Sequence, residues 1–147
     1  MAFTWANRGL YTLLSSAISG TTDIRQAVFT GTVPDAATVR VWNTLADVIA
    51  DAGSAEAVAA GYARAVLAGV AVAEDDATNK ATLVATAPTY GPVAAGETWT
   101  FAAVYIEGAD DASRALLGID APPVSQPTNG GNITGPALSV GLVGAST

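Results

Sequence analysis

The chain has 147 residues, which is enough for one domain with its own hydrophobic core. It contains neither Cys nor His, which excludes disulfides, zinc sites built on those residues and catalytic triads that need an imidazole base. Lys and Arg total 6 and Asp and Glu total 13, a net charge of −7, so the chain lacks the cationic surface that nucleic acid binding requires.

The first predicted element is a helix near the N-terminus. Asn7 can cap it and Gly20 can end it. Between them one apolar stripe recurs at helical spacing, formed by Leu10, Leu13, Leu14, Ala17 and Ile18. A strand is predicted next, from Asp23 to Thr30. Because Arg25 and Gln26 interrupt its two apolar faces, we expect partial burial on both sides.

A second helix is predicted to begin at Pro34 and Asp35 and to end at Gly53. Its apolar stripe is formed by Val39, Trp42, Leu45, Ala46 and Ile49. From Tyr62 the pattern changes to the alternation of a strand, and "YARAVLAGVAVAE" predicts one long strand from Tyr62 to Glu74.

A hairpin and a central strand are predicted in the middle of the chain. The polar cluster from Asp75 to Lys80 predicts a turn, and "ATLVAT" is expected to pair with the strand before it. "TWTFAAVYIE" has apolar residues on both faces, which indicates a central strand. Strict alternation would place Trp99 on the same face as Phe101, Ala103 and Tyr105.

The C-terminal part is predicted to contain a turn, a strand around Leu116 to Ile119, and a final strand in "ALSVGLVG". Between these strands, residues 122–137 are rich in Pro and Gly, which predicts a long surface loop or arm. The whole pattern predicts an α+β fold in a single domain over residues 1–147. We expect a mostly antiparallel β-sheet or sandwich with two N-terminal helices.

Two groups of side chains offer oxygen ligands of the kind that calcium binds. One is Asp75, Asp76 and Asn79, and the other is Glu107, Asp110 and Asp111. Neither has the alternating spacing and sharp glycine turn of a calcium loop, so no metal and no cofactor are predicted. The sequence also has no run of about 18 uncharged apolar residues, so no transmembrane helix and no membrane partner are expected.

Aromatic residues give one binding hypothesis. Trp99, Tyr105 and Tyr90 could stack on a sugar ring, as in a carbohydrate-binding β module. On a central strand, however, Trp99 and Tyr105 are expected to pack in the core. A small hydrolase is the weakest hypothesis, because no motif holds two carboxylates across a cleft, so no enzyme activity is predicted.

The low charge of the sequence bears on its surface. Charged residues make up 13% of the chain, against about 25% in an ordinary domain. This indicates a surface partly covered in an assembly, although an Ala-rich coding bias would give the same composition. Contact with a partner is predicted at the N-terminus and in the arm, at Ala2, Phe3, Trp5, Pro122, Pro123, Val124, Pro127, Asn129, Ile133 and Pro136.

Seven features follow one another in a particular order: Asn7–Ile18, Thr22–Ile24, Pro34–Trp42, Gly61–Tyr62, Asp75–Asn79, Trp99–Tyr105 and Asn129–Val140. This order resembles that of small virion structural proteins of tailed bacteriophages, and the resemblance runs over most of the chain. Members of that group are described as head decoration, minor capsid, head fibre or minor tail proteins.

The resemblance implies a non-enzymatic subunit of the virion. It implies a capsid decoration or cement protein on the outer surface of the head, where it would bind the major capsid protein or neighbouring virion subunits. A minor tail or baseplate-associated protein is the alternative. A homo-oligomer is expected because closed symmetry is common, and a trimer would suit a three-fold position.

Overall fold

The computed structural model describes residues 23–75, 77, 80–121, 125–136 and 138–143. The helix predicted over Asn7–Ile18 lies outside these residues. The described residues divide into two compact units. The larger unit consists of Asp23–Leu67 and Ala87–Pro136, and the smaller one contains the described residues of Ala68–Thr86 and Ala137–Thr147. The single domain expected over residues 1–147 stays a prediction.

The larger unit contains most of the secondary structure. Its elements are β1 (Ile24–Gly31), α1 (Ala36–Val39), α2 (Leu45–Ile49), β2 (Ser54–Glu56), β3 (Ala65–Val66), β6 (Thr89–Tyr90), β7 (Thr98–Ile106), β8 (Leu116–Asp120), β9 (Gln126–Pro127) and β10 (Ile133–Thr134). The smaller unit contains β4 (Ala71–Asp75), β5 (Lys80–Ala85) and β11 (Leu138–Val143).

The main sheet is antiparallel and has the order β2-β1-β7-β8. The short β3 also pairs with β1, and the short β9 also pairs with β7. The predicted strands at Asp23–Thr30 and Thr98–Glu107 are therefore confirmed as β1 and β7, the two central strands. Their apolar residues on both faces suit this position, because each central strand is covered on both sides.

Each face of the main sheet carries a buried cluster. One face holds Ala27, Phe29, Phe101, Ala103 and Tyr105, packed with Leu45 and Val48 of α2. The opposite face holds Val28, Ala57, Tyr90, Val93, Trp99, Ala102 and Ile133. The unit therefore has two thin hydrophobic layers with the sheet between them, and α2 covers only one of them.

Trp99 lies on the face opposite to the one predicted. The register between β1 and β7 shifts near Thr30: Phe29 pairs with Phe101, but Thr30 pairs with Trp99, so Thr100 is an extra residue. Such a β-bulge breaks the alternation of side chains between the two faces. Trp99 therefore joins the cluster of Ala102, whereas Phe101 stays in the other cluster.

The second predicted helix is two short helices, α1 and α2. Asp35 caps α1, because its carboxylate accepts the Thr38 N–H at 2.7 Å. Before α2, the Asp47 carboxylate accepts the N–H groups of Asn43 and Thr44 at 2.8 and 2.9 Å. Asp35 and Asp47 thus cap the starts of two separate helices, and the continuous stripe of apolar residues does not reveal the break.

The single strand predicted from Tyr62 to Glu74 is also divided. Ala65–Val66 pairs with β1 in the larger unit, whereas Ala71–Asp75 pairs with β5 in the smaller unit. Gly69 lies between them with φ +65°, a conformation that ends regular strand geometry. The alternating pattern is real, but it belongs to two strands in different sheets.

The smaller unit is a three-stranded antiparallel sheet with the order β11-β5-β4. The predicted hairpin is confirmed, since Ala71–Asp75 pairs with Lys80–Ala85. The predicted final strand is confirmed as β11. Within the predicted turn, residues 76, 78 and 79 lie outside the described part. Taken together, the structure confirms the α+β class with mostly antiparallel strands.

Candidate functional site

Six of the predicted contact residues lie outside the described part of the chain: Ala2, Phe3, Trp5, Pro122, Pro123 and Val124. Of the others, Pro127 and Asn129 are exposed, and Pro136 is half-buried. Ile133 is only 4% exposed and belongs to the cluster of Trp99. The Ile133 side chain therefore packs inside the larger unit and does not present a surface to a partner.

The segment over residues 125–136 is fastened to the larger unit. Its strands β9 and β10 pair with β7 and β6. The Thr128 N–H donates to the Glu97 carbonyl at 2.9 Å, and the Gly135 N–H donates to the Pro88 carbonyl at 2.8 Å. The surface loop or arm predicted over residues 122–137 stays a prediction. Its described residues 125–136 are mostly exposed and are held by these strand pairs, in which Thr and Gly N–H groups between the prolines supply the donors.

The aromatic residues considered for sugar stacking are all buried. Trp99, Tyr90 and Tyr105 are 4%, 3% and 0% exposed. Tyr62, Tyr90 and Trp99 pack together with ring centroids 5.3–5.9 Å apart. The Tyr90 hydroxyl donates to Oε1 of the buried Gln26 at 2.8 Å. None of these three rings offers the open face that a sugar would need.

The densest polar constellation in the larger unit is a chain of ion pairs, formed by Asp23, Arg25, Glu56, Arg64, Glu107, Asp111 and Arg114. Strand β1 places Arg25 beside the end of β7. Arg64 lies just before β3 and Arg114 just before β8, and both lie near Tyr105 at the same end of β7. We call this set the ion-pair chain. Its side chains are 19–36% exposed, so it is partly shielded from solvent.

Arg64 and Arg114 occupy the middle of the ion-pair chain. Arg64 donates to both Glu56 carboxylate oxygens, at 2.7 and 2.6 Å, and to Asp111 Oδ1 at 2.6 Å. Arg114 donates to the same Asp111 oxygen at 2.6 Å and to Glu107. Two guanidinium groups therefore share Asp111, and the bidentate geometry on Glu56 is the stronger form of such a pair.

At the other end of the ion-pair chain, Arg25 donates to both carboxylate oxygens of Asp23, at 2.9 and 2.7 Å. Its Nε atom also lies 3.0 Å from Glu107 Oε2. That oxygen receives no well-directed hydrogen bond from the described residues, so electrostatic attraction holds it beside Arg25. The chain thus alternates in sign from Asp23 to Glu56.

Tyr105 lies under the two central arginines. The guanidinium carbons of Arg64 and Arg114 are each 5.9 Å from the centroid of its ring. This distance allows a cation–π attraction to both arginines. Burial raises the pKa of the Tyr105 phenol, and its hydroxyl has no hydrogen-bond partner among the described residues. The phenol is therefore neutral at pH 7 and packs as part of the core.

Three carboxylates of the ion-pair chain, those of Asp23, Glu107 and Asp111, are held in the ionised state. Hydrogen bonds from Arg25, Arg114 and Arg64 lower the pKa values of Asp23, Glu107 and Asp111, respectively. A general acid needs a raised pKa and a general base needs free access to its substrate. These carboxylates have neither property, so the arrangement suits stabilisation of the fold more than proton transfer.

The lowered pKa values predict a loss of stability in acid. A carboxyl group with a lower pKa in the folded state stabilises the protein above its unfolded pKa, and this contribution disappears as the pH falls through the folded pKa. We expect the free energy of unfolding to fall from near the ordinary values of 4.5 for Glu and 3.8 for Asp, and to keep falling below them.

Urea unfolding at a series of pH values measures this loss. Glu107→Gln should remove about one of the protons taken up on unfolding, and so make the fall below pH 4.5 less steep. An acid slope that is the same in the wild-type protein and in this variant would contradict the assignment of Glu107.

Of the two groups considered as calcium ligands, Asp76 and Asn79 of the first lie outside the described residues, and the second is engaged in hydrogen bonds. Asp110 Oδ1 accepts the Ser113 N–H at 2.8 Å, and Glu107 and Asp111 accept hydrogen bonds from arginines. Within the described residues, no group of three or more acidic side chains is arranged to hold a metal ion. The described helices also include none that is long and apolar enough to cross a membrane.

Exposed apolar side chains are the other notable feature of the surface. Val58, Val41 and Val66 are 85%, 71% and 57% exposed, and Val33 and Ile49 are exposed to a lesser degree. Val33, Val41 and Ile49 lie next to or within α1 and α2, whereas Val58 and Val66 lie at the β2 and β3 edge of the main sheet.

Comparison of the chain with protein-family models, with curated proteins and with solved structures finds no match.

Proposed function

We propose that this protein is a non-enzymatic structural subunit of a tailed-bacteriophage virion, and that it decorates and stabilises the outer surface of the head. The resemblance in the order of elements, described above, supports the virion role. The sheet-rich α+β fold is compatible with it. The observation that carries the proposal is the surface, where apolar side chains are exposed while many charged groups are paired within the protein.

The ion-pair chain engages half of the cationic residues of the sequence. The sequence has 6 Lys and Arg residues, and three of the arginines, Arg25, Arg64 and Arg114, belong to the ion-pair chain. These arginines pair with carboxylates within the larger unit, and their side chains are only 19–32% exposed. Nine of the 13 Asp and Glu residues lie outside the ion-pair chain, so a partner would meet exposed valines on a surface that keeps a net negative charge. The exposed valines suit the apolar centre of a protein–protein contact.

Decoration of a shell does not require a tight single contact. Each copy would bind neighbouring subunits of the head, and many repeated contacts would add up through avidity. A specific contact still needs to bury about 1,200–2,000 Å² in total. A homo-oligomer, such as a trimer, would supply part of that area by joining several copies at one symmetric position.

Two other functions make different demands on the surface. A minor tail or baseplate-associated protein would use the same exposed valines, so only its position on the particle distinguishes it. A carbohydrate-binding module would need exposed aromatic rings, but Trp99, Tyr90 and Tyr105 are in the core. The buried rings therefore favour a protein partner over a glycan.

Mass spectrometry of gradient-purified phage particles tests the proposal. We expect the protein to co-purify with the particles in many copies and to stay bound through repeated sedimentation. Its absence from purified particles, with its presence in the lysate, would contradict a virion role.

Two single substitutions should identify the surface that meets the particle. Val41→Asn changes the group near the helices, and Val58→Asn changes the group at the β2 and β3 edge. Each should alter the free energy of unfolding by less than about 0.5 kcal/mol, because both side chains are exposed. At least one should lower the number of copies bound per particle several-fold.

Each variant serves as the control for the other, since both replace an exposed valine by the same residue. Quantitative immunoblotting of sedimented particles measures the occupancy. If both variants bind as well as the wild-type protein, the exposed valines are not the contact surface.

A further inference from the structure

The larger unit contains a cavity with a volume of about 260 Å³. Strands β1 and β7 contribute one part of its wall, and the segment that includes β10 contributes another. The apolar residues that line it are Val28, Trp99, Phe101, Ala102, Ile133 and Pro136. Apart from half-buried Pro136, these residues are at most 4% exposed, so the apolar wall belongs to the packed core.

Two polar groups near this cavity are already engaged. The Trp99 indole N–H donates to Glu97 Oε2 at 3.1 Å, and the Pro136 carbonyl accepts the Gln26 Nε2 group at 3.2 Å. Among the described side chains, the buried polar atoms that lack a hydrogen-bond partner are on Tyr105 and Glu107, and neither residue lines the cavity. The wall therefore offers little to an ordered water, which needs two or more polar partners.

The size of the cavity limits what it can hold. An engineered apolar cavity of about 150 Å³ in another protein stays dry and binds benzene. A cavity of about 260 Å³ has room for one substituted ring or two fused rings. The polar side chains in its lining, Gln126 and Thr134, are exposed and so lie at the rim.

We propose that this cavity is a binding site for a small, uncharged aromatic molecule of one or two rings. The ring would pack against Trp99 and the aliphatic side chains, while a single polar atom at its edge could face Gln126 or Thr134. A charged ligand is disfavoured, because an ionised group would lose its hydration without gaining a partner in the apolar wall. This inference does not depend on the proposed role in the virion.

Titration of the full chain with toluene, indole and benzoate, followed by NMR of the methyl groups, tests the proposal. Toluene and indole should shift the methyl signals of Val28 and Ile133 and give intermolecular contacts to them at millimolar concentration. Benzoate has the same ring as toluene but carries a charge, and it should shift these signals far less.

Variants that fill the cavity provide the second arm of the test. Ala102→Leu places a larger side chain in the cavity from β7. Thr134→Trp does so from the exposed rim, and it should disturb the fold less because Thr134 is exposed. Thr89→Trp is the matched control, because Thr89 is exposed and pairs with Thr134 but does not line the cavity. Toluene binding should be lost in both cavity variants, or in Thr134→Trp alone if Ala102→Leu does not fold, and kept in the control.

Three results would overturn the proposal. The first is that toluene and indole leave the Val28 and Ile133 methyl signals unchanged in the wild-type protein. The second is that benzoate binds as well as toluene, which would mean that the wall is open to water. The third is that Thr134→Trp folds and still binds toluene with the wild-type affinity.

Discussion

Replacing Phe101 by alanine is expected to lower the free energy of unfolding of the larger unit by about 3–5 kcal/mol. Phe101 is 2% exposed and lies on a central strand. Its ring stacks on that of Phe29, with centroids 5.0 Å apart and an interplanar angle of 6°. Alanine would remove this stacking and leave a cavity between the sheet and α2, which the backbone of a central strand cannot close.

Urea unfolding followed by tryptophan fluorescence measures this effect, because Trp42 packs against the same cluster. Val66→Ala is the matched control on the same sheet, since Val66 is 57% exposed, and it should change the free energy by less than about 0.5 kcal/mol. If Phe101→Ala costs no more than this control, the cluster around α2 is not the main core of the unit.

Replacing Arg64 by methionine is expected to lower the free energy of unfolding by about 1–3 kcal/mol, a value between those of exposed and buried ion pairs. Methionine keeps an apolar stem against Tyr105 but removes the charge between Glu56 and Asp111. Both carboxylates would then lose their strongest partner while staying partly shielded from water. The cost comes mainly from Glu56, which would lose its arginine, whereas Asp111 would keep its pair with Arg114.

A double-mutant cycle isolates the pair. Arg64→Met, Glu56→Gln and the combination of both should give a coupling energy of about 0.5–3 kcal/mol, because the two side chains share a bidentate contact. The coupling should persist when salt is added, since the pair is only about one-fifth exposed. Coupling that vanishes in moderate salt would instead indicate a solvent-exposed pair.

The central strands could be predicted from sequence for a clear physical reason. A strand buried on both faces needs apolar residues at successive positions, and "TWTFAAVYI" of β7 has them. The hairpin between β4 and β5 could be predicted because a polar turn separates two short β-forming segments. Local patterns of this kind are strong enough to be read without tertiary information.

The sequence predictions are wrong where an apolar pattern continues across a break between two secondary-structure elements. The apolar stripe through α1 and α2 stays in phase, but Asp35 and Asp47 cap two separate starts. The alternation after Tyr62 continues through Gly69, although the two strands belong to different sheets. Trp99 changes face because of a bulge, and a bulge depends on how two distant strands pair.

The polar features were the least predictable. Arg64 and Asp111 are separated by 47 positions, so no local spacing reveals their contact. The sequence contains one weak indication of these ion pairs. Arg25 and Arg64 interrupt apolar strand patterns, and a charge on a partly buried strand needs a partner. Nearby Pro and Gly place Ile133 in the predicted surface loop or arm as a contact residue, but the β6 and β10 pairing places its side chain in the core.

Immunogold labelling of intact phage particles tests the central claim most directly. The proposed role as a head decoration protein predicts label spread evenly over the outer surface of the head, with the tail free of label. Label at the tail alone would place the protein among minor tail or baseplate components. Particles without label, while the same antibody detects the protein in the lysate, would contradict the claim that it is part of the virion.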